Sequence, residues 1–229
     1  MHPFPIAAML VASVARLADA QPTPSAYPVK PVPLPDSIEI ALATSAAPAA
    51  LSSNATVYAV RDGKVLTLRA GTNGSSCMVA RDSHAGSLYP ICYNPEGTRT
   101  VLERELMQVR LRTLGVAEDS IDRAVEAAYR SGELEIPKDI ALAYMMSPQQ
   151  VLFSNARKEG RRVGAWHPHL MLYVPGATPA KFGLSDSGTG DPIQVGSPGT
   201  PQAEVIVKLP KWADGKPVAG RTFQEGQSP

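Results

Sequence analysis

The sequence predicts an α+β domain: a mainly antiparallel sheet of five to six strands with a helix pair inserted mid-chain. Three observations lead there. Residues 56–60 and 64–68 alternate in polarity around Asp62-Gly63, the signature of a strand, a two-residue turn and a strand. Residues 100–131 carry apolar positions at helical spacing in two blocks separated by Leu114-Gly115-Val116. Short apolar runs at 140–146, 169–174 and 203–208 have strand length and are set apart by Pro and Gly, which favours strands over long helices.

Composition agrees with one folded unit between irregular flanks. The 229 residues are 44% apolar and 19% charged, with net charge +1, 22 Pro and 18 Gly. A charge balance near neutrality lacks the basic footprint of a nucleic-acid binder, so no nucleic-acid partner is expected. Residues 6–15 form an apolar stretch followed by Ala18-Asp19-Ala20, a small-x-small processing pattern. This predicts a signal peptide over 1–20 and a periplasmic or extracellular mature chain with no transmembrane segment after cleavage. Prolines at 22, 24, 28, 31, 33 and 35 predict an extended spacer over 21–36. The domain is expected over 37–209 and a flexible tail over 210–229.

Along the domain, Asp36 or Ser37 opens a short helix through Ala46 with Ile38 and Leu42 on its faces, laid as a lid on the sheet and ended by Pro48. After the hairpin, a turn at Gly71-Thr72-Asn73-Gly74 precedes a third strand over 76–80. Thr100-Val101-Leu102-Glu103 fits a capping box opening the first long helix, with Leu102, Leu106 and Val109 in one row and Met107, Leu111 and Leu114 in a second. The second helix runs from Glu118 to Ser131 with Ile121, Val125 and Ala128 inward and Gly132 as its stop. Beyond the strand at 169–174, residues 178–183 make one helical turn and 185–201 a loop.

Cys77 and Cys92 are the two cysteines of the chain, and their even count in an exported protein predicts one disulfide. A zinc site is not expected without a Cys-x-x-Cys pair.

Four segments resemble a family of secreted bacterial proteins of unknown function: Gly71-Thr72-Asn73-Gly74 followed by Cys77; Cys92-Tyr93 running into Glu96-Gly97-Thr98-Arg99-Thr100; Ala143-Tyr144-Met145-Met146-Ser147; and Pro168-His169-Leu170-Met171 followed by Tyr173. The resemblance spans about residues 38–209. It implies export and the extent of the domain, and it brings no substrate or cofactor.

Chemistry is read from individual residues. His167, His169, Met171 and Tyr173 recur at a spacing of two, which lines them along one strand face. Imidazoles with a thioether suit copper, and His84 could complete such a site. The competing expectation is that His169 donates to a backbone carbonyl while Met171 and Tyr173 pack in the core. His84 beside Asp82 and Ser83, or Ser75 or Ser76 meeting His167 or His169, would be the route to a hydrolase, although no Gly-x-Ser-x-Gly elbow occurs. Asp186-Ser187-Gly188 matches the aspartic-protease tripeptide but does not follow an apolar strand. Arg99, at a helix entry, is a candidate anion-binding residue. With no assembled catalytic signature, the expectation is a non-enzymatic exported module that binds a small ligand or a protein and needs no cofactor; a copper-binding protein and a hydrolase are the alternatives.

Overall fold

The computed structural model describes residues 34–82, 87–153, 162–164, 167–185 and 192–218. The leader at 1–20, most of the spacer, His84, the 186–188 tripeptide and the last eleven residues lie outside the described residues. Helices α1 (Asp36–Thr44) and α2 (Ala49–Ser52) lead into strands β1 (Thr56–Arg61), β2 (Lys64–Arg69), β3 (Ser76–Asp82) and β4 (Ser87–Tyr93). Helices α3 (Pro95–Thr113) and α4 (Glu118–Ser131) follow. The chain then forms β5 (Ala141–Met145), β6 (Val151–Phe153), β7 (Arg162–Gly164), β8 (His169–Tyr173), a 3-10 turn (Pro179–Phe182), β9 (Ile193–Gly196) and β10 (Glu204–Lys208).

The α+β class and the helix pair between β4 and β5 match the sequence reading; the strand count does not. Among the described residues ten strands form one mixed sheet in the order β2-β1-β3-β4-β5-β8-β10-β9, with β6 pairing β4 and β7 pairing β6. The pairing of β1 with β3 is parallel and the other pairings are antiparallel. The extra strands were hidden for local reasons: β4 carries Pro90, β6 and β7 have three residues each, and β9 lies within the Gly/Ser/Pro-rich segment expected as loop.

The β1–β2 hairpin forms as its sequence predicts. Asp62 and Gly63 both have positive φ, the requirement of a two-residue turn whose twist matches the strands it joins. Helix α3 begins six residues earlier than the capping-box reading, which makes Thr100 the N-cap. Asn94 is the N-cap, with Oδ1 accepting from the Gly97 N–H at 2.8 Å, and Pro95 sits at the first helical position, where its missing N–H costs nothing. Thr100 is therefore inside the helix, its hydroxyl donating to the Glu96 carbonyl at 2.8 Å. Helix α4 keeps the expected face of Ile121, Val125 and Ala128, closed by left-handed Gly132.

The sheet is covered on both sides. Val101, Leu102, Leu106 and Val109 of α3 pack on Met78, Ile91, Tyr93 and Ala143, while α4 packs on α3 through Met107 and Leu111. On the opposite face Ala43, Ala46 and Ala47 cover Val57, Val79 and the disulfide between Cys77 and Cys92. Helix α1 is the expected lid, but Ile38 is 53% exposed and the inward positions are Ala43 and Glu39. Glu39 is buried because Arg81 Nη1 donates to its Oε1 at 2.7 Å, with Arg61 Nη2 3.6 Å from Oε2. Arg61 also pairs with Asp36 at 2.7 Å, so two arginines of the sheet fasten one short helix.

The centre of the sheet turns on β4. Cys77 faces Cys92 across the β3–β4 ladder with a Cα separation of 4.0 Å, the close spacing of a non-hydrogen-bonded pair. Pro90 opposes Val79 two residues along, so its nitrogen points away from β3, toward the β5 side. There β4 pairs with β5 at Cys92 and Tyr93 and with β6 at Ser87 and Leu88. The missing donor of Pro90 falls in the gap between them. Beyond Met145 the chain leaves β4: the Met146 N–H donates to the Ala46 carbonyl, and the Met146 carbonyl accepts from Ala213. That last bond holds the start of the segment expected as tail, where Trp212 is buried and its N–H donates to Lys216.

Two stability outcomes follow from this arrangement. A Cys77→Ser/Cys92→Ser variant is expected to lose about 3 kcal/mol in urea unfolding, the chain-entropy value for a closed loop of about fifteen residues. Glu39→Ala is expected to cost about 3–5 kcal/mol by stranding the Arg81 charge, whereas a Glu39→Leu/Arg81→Met double variant should recover most of that loss.

Candidate functional site: a buried arginine and tyrosine cluster

A gathering of polar side chains lies beneath α3, on the sheet face where β4, β8 and β10 present Tyr89, Tyr93, Tyr173 and Glu204. Pairing places these residues: Tyr93 stands opposite Ala143, and Tyr173 opposite both Ala141 and Glu204. The small alanines of β5 leave space between the aromatic rings. Helix α3 lowers Arg104 and Glu105 into the cluster, both buried. Arg104 lies over the Tyr173 ring, 5.4 Å from its centroid, and Nη1 donates to Gln202 Oε1 at 3.2 Å. Glu105 Oε2 is 4.0 Å from Arg104 Nη2, and Glu105 Oε1 accepts from the Tyr89 hydroxyl at 3.0 Å.

Burial disfavours the charge of Arg104, but the Glu105 carboxylate and the face of the Tyr173 ring favour it; its pKa is raised and it stays cationic. Burial pushes the Tyr93 and Tyr173 hydroxyls well above the ordinary phenol value, with Arg104 opposing the shift in each. Burial also raises the pKa of Glu204 against the pull of Arg104. Arg104 Nε, the Tyr93 hydroxyl and Glu204 Oε2 are buried without a hydrogen-bond partner. The cluster thus holds a fixed cation, neutral phenols and a destabilised carboxylate. Its named members include no serine, cysteine or histidine nucleophile, and phenols held neutral are poor bases at pH 7.

The residues singled out from sequence are distributed differently. His169 is buried on β8, and its Nδ1 lies 2.6 Å from the His167 carbonyl oxygen, the backbone contact of the structural expectation. Donation there leaves Nε2 as the bare nitrogen. Burial lowers the pKa of both imidazoles, with Lys208 contributing at His167, so both are neutral at pH 7. Met171 does not turn to His169: the Tyr173 hydroxyl is 4.0 Å from its sulfur, and its side chain packs with the core cluster. Among the described residues no three of His, Cys, Asp and Glu converge as a metal would require. Of the serine and histidine pairings, Ser76 with His169 fails on distance. Ser76 lies on β3 and His169 on β8, three strand spacings apart across β4 and β5, or about 14 Å. Arg99 is engaged by two carboxylates, with Nη2 2.8 Å from Glu96 Oε1 and Nη1 bonded to Glu135. An incoming anion would have to displace both.

Three of the four segments supply ties between elements around β3, β4 and β5. Asn73 Nδ2 donates to the Leu51 carbonyl at 2.7 Å, fixing the turn before β3. Glu96 Oε1 accepts from the Lys138 and Asp139 amides at 2.9 and 3.3 Å, so the start of α3 holds the approach to β5. Gly97 lets that approach happen, since a Cβ there would lie 2.8 Å from the Leu142 carbonyl oxygen. Ser147 is buried with its hydroxyl 2.6 Å from that of Ser45, joining the end of α1 to the end of β5.

The chain matches no protein-family model, no curated protein and no solved structure. The cluster under α3 is what sequence reading missed. Charged side chains on a helix ordinarily face solvent, and the signal that could have found Arg104 and Glu105 is their place beside the apolar row Val101, Leu102, Leu106.

Glu204 gives the cluster a measurable pH signature. Its folded pKa is raised, so the stability it contributes is complete below the unfolded carboxylate value and is lost as pH rises through the folded one. Glu204→Gln is expected to raise the melting temperature at pH 7, with a gain of about 1 kcal/mol, the cost of one unsatisfied buried polar group. That gain should shrink toward zero at pH 4.

Proposed function

We propose that the protein is an exported, non-enzymatic binding or structural module of the periplasm or cell exterior, and a member of the secreted bacterial family its four segments resemble. The observation that carries the reading is the disulfide between Cys77 and Cys92, buried at the centre of the sheet beneath α1. A covalent link built into the core suits a compartment where thiols are oxidised. The leader pattern at 1–20 supports the same compartment, and no described helix is long and apolar enough to cross a membrane. The non-enzymatic reading draws on the cluster beneath α3, whose phenols are held neutral and in which the Glu204 carboxylate is destabilised, and on the segments around Asn73, Glu96 and Ser147, whose side chains tie one element to another.

The test is made on protein recovered from its native cells. Sequencing should give Gln21 as the first residue, and titration in denaturant without reductant should find no free sulfhydryl. A retained Met1 together with two titratable thiols would overturn the proposal.

A further inference from the structure

Among the described residues the β1–β2 hairpin leaves β2 as a free edge of the sheet. Arg61 and Lys64 flank a two-residue turn and are therefore the hydrogen-bonded pair nearest the turn, which makes Val60–Val65 and Tyr58–Thr67 non-hydrogen-bonded pairs. The N–H and C=O groups of Val65 and Thr67 consequently point outward, away from β1. The edge is not shielded by side chains, for residues 64–67 are all exposed, Val65 at 38% and Leu66 at 37%. Such a row of outward donors and acceptors is a template for one more strand.

Charge selects the occupant. Arg61, Arg81, Arg99, Arg112, Arg123 and Arg130 each pair with a carboxylate. Among the described residues Arg69 and Arg110 pair with no carboxylate: Arg69 donates to the carbonyls of Ser52 and Ala55, and Arg110 to that of Gly63. Both therefore bring unanswered charge to the hairpin, one at the end of β2 and the other at its turn. Lys64 adds a third exposed cation on the edge itself, against the single carboxylate of Asp62. Pairing two copies along this edge would bring both sets of cations together, which like-charge repulsion opposes.

We propose that β2 receives an extended peptide strand with carboxylates at its ends and β-branched apolar residues between them, completed by main-chain bonds to Val65 and Thr67. The inference rests on the binding-module reading and gives that module its class of partner. Failure of this proposal would leave export, read from the first residue and the thiol count, to stand or fall on its own test.

The probe is a blocked peptide Glu-Thr-Val-Thr-Val-Glu, titrated into the full mature protein by calorimetry, with amide exchange followed by NMR. Binding should slow exchange at Val65 and Thr67, and a Lys-ended peptide should bind at least about tenfold more weakly. A Val65→Pro/Thr67→Pro variant removes the outward donors without touching the bonds to β1 and should abolish binding. Should that variant unfold, the same peptide N-methylated at alternate residues, offered to the wild-type protein, should fail to bind. The proposal is overturned if the Glu-ended peptide leaves the Val65 and Thr67 amides unprotected. Equal binding by the methylated peptide, or a dimer in sedimentation that pairs through β2, would also overturn it.

Discussion

Strand β4 is the constraint on which the rest of the structure depends. One of its faces carries Cys92 into the link with Cys77 under α1, and the other carries Ile91 and Tyr93 into the core under α3. Its proline decides the topology between these contacts. Because Pro90 offers no N–H on the β5 side, the β4–β5 ladder stops there and Met146 bonds instead to Ala46 and Ala213. The end of α1, the end of β5 and the segment around Trp212 are thereby drawn to one place by a single absent donor.

The two buried charge clusters do different work at a similar cost. The Glu39–Arg81 pair, joined through Arg81 Nη1 and Glu39 Oε1, locates a short helix that buries little apolar surface of its own, since its inward positions are otherwise alanine. The cluster of Arg104, Glu105, Tyr93, Tyr173 and Glu204 sits instead between α3 and the sheet. Each cluster leaves buried polar atoms unpartnered, Glu39 Oε2 and Arg81 Nη2 in the first and one atom each of Arg104, Tyr93 and Glu204 in the second. Buried charges held in this way fix position at some expense of stability.

Local signals in the sequence were legible where short-range physics suffices. The Asp62-Gly63 turn, the inward face of α4 and the strands at 141–145, 169–173 and 204–208 appear within a residue or two of where periodicity and turn chemistry put them. The start of α3 was misplaced because Thr100-Val101-Leu102-Glu103 fits a capping box while Asn94 and Pro95 form the real one. Strand β4 was unreadable because proline argues against a central strand unless its missing donor falls in a gap, and that gap exists only after β5 and β6 take their places.

Sequence by itself determined the α+β class, the helix pair, the hairpin and, through two cysteines, one covalent link. Each depends on residues near one another in the chain or on a count that leaves no alternative pairing. Tertiary structure decided which charges are buried, where Pro90 divides the sheet, that His169 turns to a carbonyl while Met171 leans on Tyr173, and which edge stays open. Those outcomes depend on what stands opposite a residue across strands and layers, and such neighbours arrive from distant parts of the chain only when the sheet closes.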